Sequence, residues 1–244
     1  MSSQQSFEAV LNRFKNGNTL IQSWLDYNPG NPTITKAAIP VFITSVEGAN
    51  LAVTTTEEAV GVVRTTRGLL VFEIKDTNPT CLETRVRGIK NYLSSDPDNA
   101  AFLTASKKVN TILKKMRPTY PKKAPGTPRG TGNSPMERSF ASAVGHGRAV
   151  ITIISGLGVP YAPADVNIRV APMTALIDQI ETANEAVQTA LDNYGTANRI
   201  RAKLYKEKDG LEKRRSAILK YLSSFPGLTK STHYIEFNQA IKGT

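Results

Sequence analysis

The chain is poor in the residues that most often announce a chemistry. It has one cysteine, Cys81, and two histidines, His146 and His233, in 244 residues. A single thiol forms no internal disulfide and no multi-thiolate metal centre. The two histidines stand in unlike contexts, and no H-x-x-x-H or C-x-x-C pair exists, which argues against a conventional zinc site. Long apolar runs are also missing. The longest, Ala149 to Leu157, is far short of a bilayer span. The polar start M-S-S-Q-Q-S-F-E lacks the apolar core of a secretory signal. Together these absences predict a reducing, cytoplasmic setting with no membrane span. Acids are scarce as well: 20 Asp and Glu face 31 Lys and Arg, for a formal charge of +11. That balance favours anionic partners, although many soluble proteins are basic for solubility alone.

What is present is an internal repeat. Around Glu47 the chain reads E-G-A-N-L-A-V, and around Glu181 it reads E-T-A-N-E-A-V. Further on, I-K-N-Y-L-S-S-D-P from Ile89 matches I-L-K-Y-L-S-S-F-P from Ile218. Two matches in the same order with similar spacing are the signature of a duplicated unit. The first repeat starts near Thr33. Ile39, Phe42, Ile43, Val46, Asn50 and Val53 share a helix face, as do Met173, Leu176, Ile177, Ile180, Asn184 and Val187. Gly61 and Gly195 align, and a glycine there predicts the turn of a helical hairpin. A second helix then runs from about 62 to 95, interrupted near Asn78-Pro79, and its counterpart from 196 to 224. Each ends at Y-L-S-S-x-P, and each is followed by a shorter amphipathic piece, Ala100 to Met116 and Ser231 to Ile241.

The expected fold is therefore all-α. Two related hairpins pack as a four-helix-type bundle with pseudo-twofold symmetry, because each hairpin leaves an apolar face for the other to cover. The alternative closes each repeat as its own three-helix bundle. An N-terminal helix, capped by Ser6 and carrying Trp24, packs on the first repeat. The resulting division is 1–32, a helical arm; 33–116, the first repeat; 117–165, a basic Pro/Gly-rich crossover; and 166–244, the second repeat. The crossover opens with five prolines and three glycines between Arg117 and Pro135, which rule out a regular helix. Its apolar run from Ala149 reads as a strand or a buried extended arm.

Function is carried, if anywhere, by charge. Lys107, Lys108, Lys114, Lys115, Arg117, Lys122, Lys123, Arg129, Arg138 and Arg148 meet one acid, Glu137, with Tyr120 placed to stack on a base or a proline. Such segments bind polyanions through counterion release with little sequence reading. The plain alternative is a solvated linker. A second basic stretch, Arg199 to Lys220, is interleaved with Glu207, Asp209 and Glu212 and reads as an ion-paired solvent face. Tyr92 and Tyr221 read as core residues with outward hydroxyls. Asn50 and Asn184 read as register-fixing residues facing each other across the pseudo-axis. No catalytic constellation emerges. Gly126 to Ser134 lacks the Lys-Ser/Thr ending of a phosphate loop, and Ser155-Gly156-Leu157-Gly158 lacks the third glycine of a dinucleotide fingerprint. The expectation is a non-enzymatic structural or adaptor protein without cofactor or metal, acting through other proteins or self-association. Nucleic-acid binding through the basic segment is the alternative, and an enzyme centred on His146 a distant third.

Overall fold

In a computed structural model of the chain, residues 3–72, 79–116, 135–225 and 231–242 are described, apart from the side chains of 3–6 and 135–139. The regular structure among these residues is helical, with no strand. The helices are α1 (Ser3–Ser23), α2 (Ala38–Val71), α3 (Leu82–Ser94), α4 (Ala100–Met116), α5 (Pro135–Ser155), α6 (Val170–Lys206), α7 (Leu211–Leu222) and α8 (Thr232–Lys242). Short 3-10 turns at Pro32–Ile34 and Val166–Ile168 precede α2 and α6.

Two compact units divide the chain: residues 1–60 with 190–244, and residues 61–189. The first unit buries Leu11, Phe14 and Ile21 of α1 with Ile39, Phe42 and Val46 of α2. Tyr205, Leu211, Ile218, Leu222, Phe237 and Ile241 complete its core. Each such side chain removed from water contributes about 1.5–3 kcal/mol. α1 packs chiefly against α8, and its Phe14 ring also meets Phe42 edge-on. The N-terminal helix thus packs on α8 as well as on α2, rather than on residues 33–116 alone. The second unit buries Leu82, Val86, Ile89 and Leu93 of α3 with Phe102 and Val109 of α4. Phe140, Val150 and Ile154 of α5 and Met173, Ile177 and Ile180 of α6 close it.

The same anchors recur inside each unit. In the first, Tyr27 Oη donates to Ile34 O at 2.8 Å, and its ring meets Tyr221 edge-on at 5.2 Å. In the second, Tyr161 Oη donates to Ile168 O at 2.6 Å, and its ring meets Tyr92 at 5.5 Å. Arg214 donates to Asp209 O and Thr33 O and lies over the Phe42 ring. Arg85 donates to Thr80 O, Asn167 O and Pro172 O. Each arginine donates to one carbonyl of a 3-10 turn, Thr33 O for Arg214 and Asn167 O for Arg85. We expect Arg214→Ala to destabilise the protein by about 2–3 kcal/mol, with Arg85→Ala similar, measured by urea unfolding. A loss below about 0.5 kcal/mol would show that water replaces the guanidinium at no net cost.

Several expectations are corrected. Gly61 and Gly195 lie inside continuous α2 and α6, so neither forms a hairpin turn. A mid-helix glycine costs only about 1 kcal/mol against alanine, and the packing of Val53, Val60, Val187 and Ala197 around these turns outweighs it. α2 continues to Val71 and α6 to Lys206, and a second break falls at residues 207–210. At the second break Gly210 is buried, and a β-carbon there would sit 3.0 Å from the carbonyl oxygens of Leu204 and Glu207. The apolar run from Ala149 is the end of α5 and neither a strand nor an extended arm. Phe140, Ala143, Gly147, Val150 and Ile154 recur every three or four residues and are buried, with Ile177 packed directly over Gly147. That helical period overrides the β-branched composition. The helix stops at Ser155, and Gly158 turns the chain with φ of 62°. Ser6 lies within α1, which starts at Ser3, so it is no cap. Taken helix by helix, α2 is long and apolar enough to cross a bilayer, unlike any single apolar run. Its Ile39, Phe42, Ile43 and Val46 are core residues of the first unit.

Candidate polyanion interface

α4 starts at a sequence-encoded cap: Asn99 Oδ1 accepts the Phe102 N–H at 3.1 Å. From there Phe102, Ala105, Val109 and Met116 are buried on one face. Lys107, Lys108, Lys114 and Lys115 are all exposed on the opposite one. At 100° per residue the four lie within about 120° of arc and along about 12 Å of helix. Thr104 and Thr111 complete this face and spend their hydroxyls on the helix's own carbonyls. α4 contains no acid, and among the described residues no carboxylate pairs with any of the four lysines. Lys114 and Lys115 also sit in the last turn, where cations oppose the negative end of the helix dipole.

The remaining candidates separate. Arg117, Tyr120, Lys122, Lys123 and Arg129 lie outside the described residues, and Arg138 lies on α5 with its side chain outside them. Arg148 is exposed on α5 but is taken up by Glu181 at 2.5 Å. α4 and α5 pack together in the second unit. His146 of α5 is half-buried, and its pKa is lowered from the ordinary 6.5, first by burial and then by the charge of Lys115. The sign of the consequence is fixed by linkage. Above 6.5 the ring is neutral in both folded and unfolded chains and has no effect. As pH falls through 6.5 the unfolded chain takes up the proton first, so stability drops until the folded ring also titrates. We expect the Tm to fall more between pH 7.5 and 5.5 in the parent protein than in His146→Gln, by differential scanning fluorimetry. Equal falls would remove His146 from the acid response.

The second basic stretch is partly structural. Arg201 is buried and stacks over the Phe7 ring at 4.5 Å, with Nη2 donating to Asn198 Oδ1 at 2.7 Å. Arg214 is committed to Thr33 and Phe42 as described above. Burial pushes the Tyr27 and Tyr161 hydroxyls well above the ordinary range, with Tyr221 and Tyr92 adding to the shift. Tyr221 Oη accepts from Asn28 N at 3.0 Å. Asn50 Nδ2 reaches Tyr205 Oη at 3.1 Å, while Asn184 belongs to the other unit. Cys81 is buried at the start of α3, with Sγ 3.3 Å from Thr84 Oγ1. His233 stacks on Trp24 at 4.2 Å and meets Asp26 at 3.2 Å. Sequence reasoning missed that contact because the partners lie about 200 residues apart. Among the described residues no cluster of three or more His, Cys, Asp or Glu is placed to hold a metal. No family model, curated protein or solved structure matches the chain.

Proposed function

We propose that the chain is a non-enzymatic, duplicated helical protein that holds nucleic acid by its phosphates along α4. The supporting observation is the acid-free lysine face, continuous in sequence with six further basic residues from Arg117 to Arg148. Four lysines along about 12 Å match roughly four successive phosphates of one strand, spaced about 3.4 Å along the duplex axis. Point charges on flexible stems, without a fork-shaped donor aimed at base edges, favour binding that is indifferent to sequence. The test is the affinity for a mixed-sequence duplex and a single strand across salt. A log–log slope near zero would remove the reading; a steep fall with similar affinities for unrelated sequences supports it.

The duplication runs, in this reading, from α1 to α4 and again from α5 to α8, beyond the segments that still align. Phe7 under Arg201 corresponds to Phe140 under Arg67, and the Lys15–Glu47 ion pair to Arg148–Glu181. The capping Asn99 corresponds to Ser231, whose Oγ accepts the Tyr234 N–H. In that register α8 carries Glu236, Gln239 and Ala240 where α4 carries Thr104, Lys107 and Lys108. Lys107 and Lys108 therefore have no basic counterpart in the second copy, which a general solubility role does not require.

A second reading, an adaptor acting through protein contacts, is favoured by Leu25 and Val159. They are 100% and 95% exposed, each two residues before the buried tyrosine of its own unit. An exposed apolar tip in each unit suits a protein partner. Loss of a co-purifying protein in a Leu25→Asp, Val159→Asp double variant, with DNA affinity unchanged, would support this reading over the first.

A further inference from the structure

The first unit contains a cleft of about 580 Å³ between α1, α2 and α6, within the size range of small-molecule sites. Its lining joins separated charges of both signs. Lys15 and Glu47 pair with each other. Glu8 and Arg201 both line the cleft, and no ion pair joins them. Arg201 is 5% exposed, its guanidinium held flat by Phe7 and by Asn198. Asn50 lines the same cleft, and its orientation is fixed by a relay. Tyr205 Oη spends its proton on Phe7 O at 2.9 Å and so accepts from Asn50 Nδ2. The Asn50 Oδ1 is left buried with no partner. Buried acceptors are rarely left unpaired in folded proteins. Gly48 lies on the wall, and a β-carbon there would meet nothing within 4 Å. The helix thus forgoes the more favourable alanine without a packing reason, and the space over this turn stays open.

We propose that this cleft binds a small zwitterion of the free amino-acid class. Its carboxylate meets the fixed guanidinium of Arg201, and its ammonium group meets Glu8. A pre-oriented guanidinium favours a planar carboxylate, and the Glu8 carboxylate in the same lining disfavours ligands that are purely anionic. This site is separate from the lysine face of α4, and the proposal does not depend on nucleic-acid binding.

The test is saturation-transfer NMR on the full chain with a mixture of the twenty free L-amino acids, followed by titration of any responder. Gly48→Phe fills the cleft from a position with no neighbours to disturb, and Glu8→Gln removes one charge from an exposed side chain. At least one amino acid should give a signal that disappears in Gly48→Phe at unchanged Tm. Its affinity should fall about tenfold or more in Glu8→Gln, as expected for a lost charged hydrogen bond. No signal from any amino acid, or an equal signal in a folded Gly48→Phe protein, overturns the proposal. An unaffected Glu8→Gln overturns the placement of the ammonium group. Should Gly48→Phe lower the Tm, Gly48→Leu serves the same purpose with a smaller side chain.

Discussion

Reversing Lys107, Lys108, Lys114 and Lys115 to glutamate is expected to abolish measurable duplex binding at physiological salt and to leave the helical content unchanged. Each phosphate contact adds about 0.9 to the magnitude of the log–log salt slope on duplex DNA. Four contacts therefore account for about 3.6 units of slope, or more than a hundredfold in affinity between 50 and 200 mM salt. The substitution is structurally mild because all four side chains are exposed and the opposite face supplies the packing. Circular dichroism and the Tm separate a binding defect from a folding defect. Neutralising the same positions to glutamine should give an intermediate loss, since it removes attraction without adding repulsion. A quadruple glutamate variant that binds as the parent does would place the interface elsewhere, with Lys122, Lys123 and Arg129 the next positions to reverse.

Cutting the backbone between α4 and α5 is expected to leave both compact units assembled. A protease site placed after Lys123 divides the chain into a half ending with α4 and a half starting before α5. Each core draws on both halves. In the first unit Leu11, Phe14, Phe42 and Val46 are covered by Tyr205, Ile218, Leu222 and Phe237. In the second, α3 and α4 pack on α5, and Arg85 holds Asn167 and Pro172 across the cut. Cleaved protein should elute as one species of unchanged mass by light scattering and separate only in denaturant. Its Tm should become concentration-dependent, because unfolding now releases two chains. Separation into two independently folded fragments in native buffer would contradict this account of the cores.

The helical class, the Y-L-S-S-x-P stops and the limits of α4 were legible in the sequence because they rest on local physics. Period 3.6 and a proline after the serines act within a few residues. The basic residues of α4 were legible for the same reason, since a face without acids needs only the sequence and the helical pitch. The turns expected at Gly61 and Gly195 were not, because a glycine reads as a helix end or as a tolerated interior residue according to what packs beside it. The run from Ala149 shows the same limit. Val150, Ile151, Thr152, Ile153 and Ile154 favour a strand as isolated residues, and burial at every third or fourth position decided for a helix. Which halves share a core lay beyond local reading altogether. The Arg214 guanidinium finds Thr33 O, and Arg201 finds Phe7, across about 180 or more residues of chain. By itself the sequence determined the helical class, the limits of α4 and the basic composition of that helix. Only the tertiary structure decided which helices continue and which arginines are spent on the fold, because desolvation and packing depend on neighbours that sequence spacing does not specify.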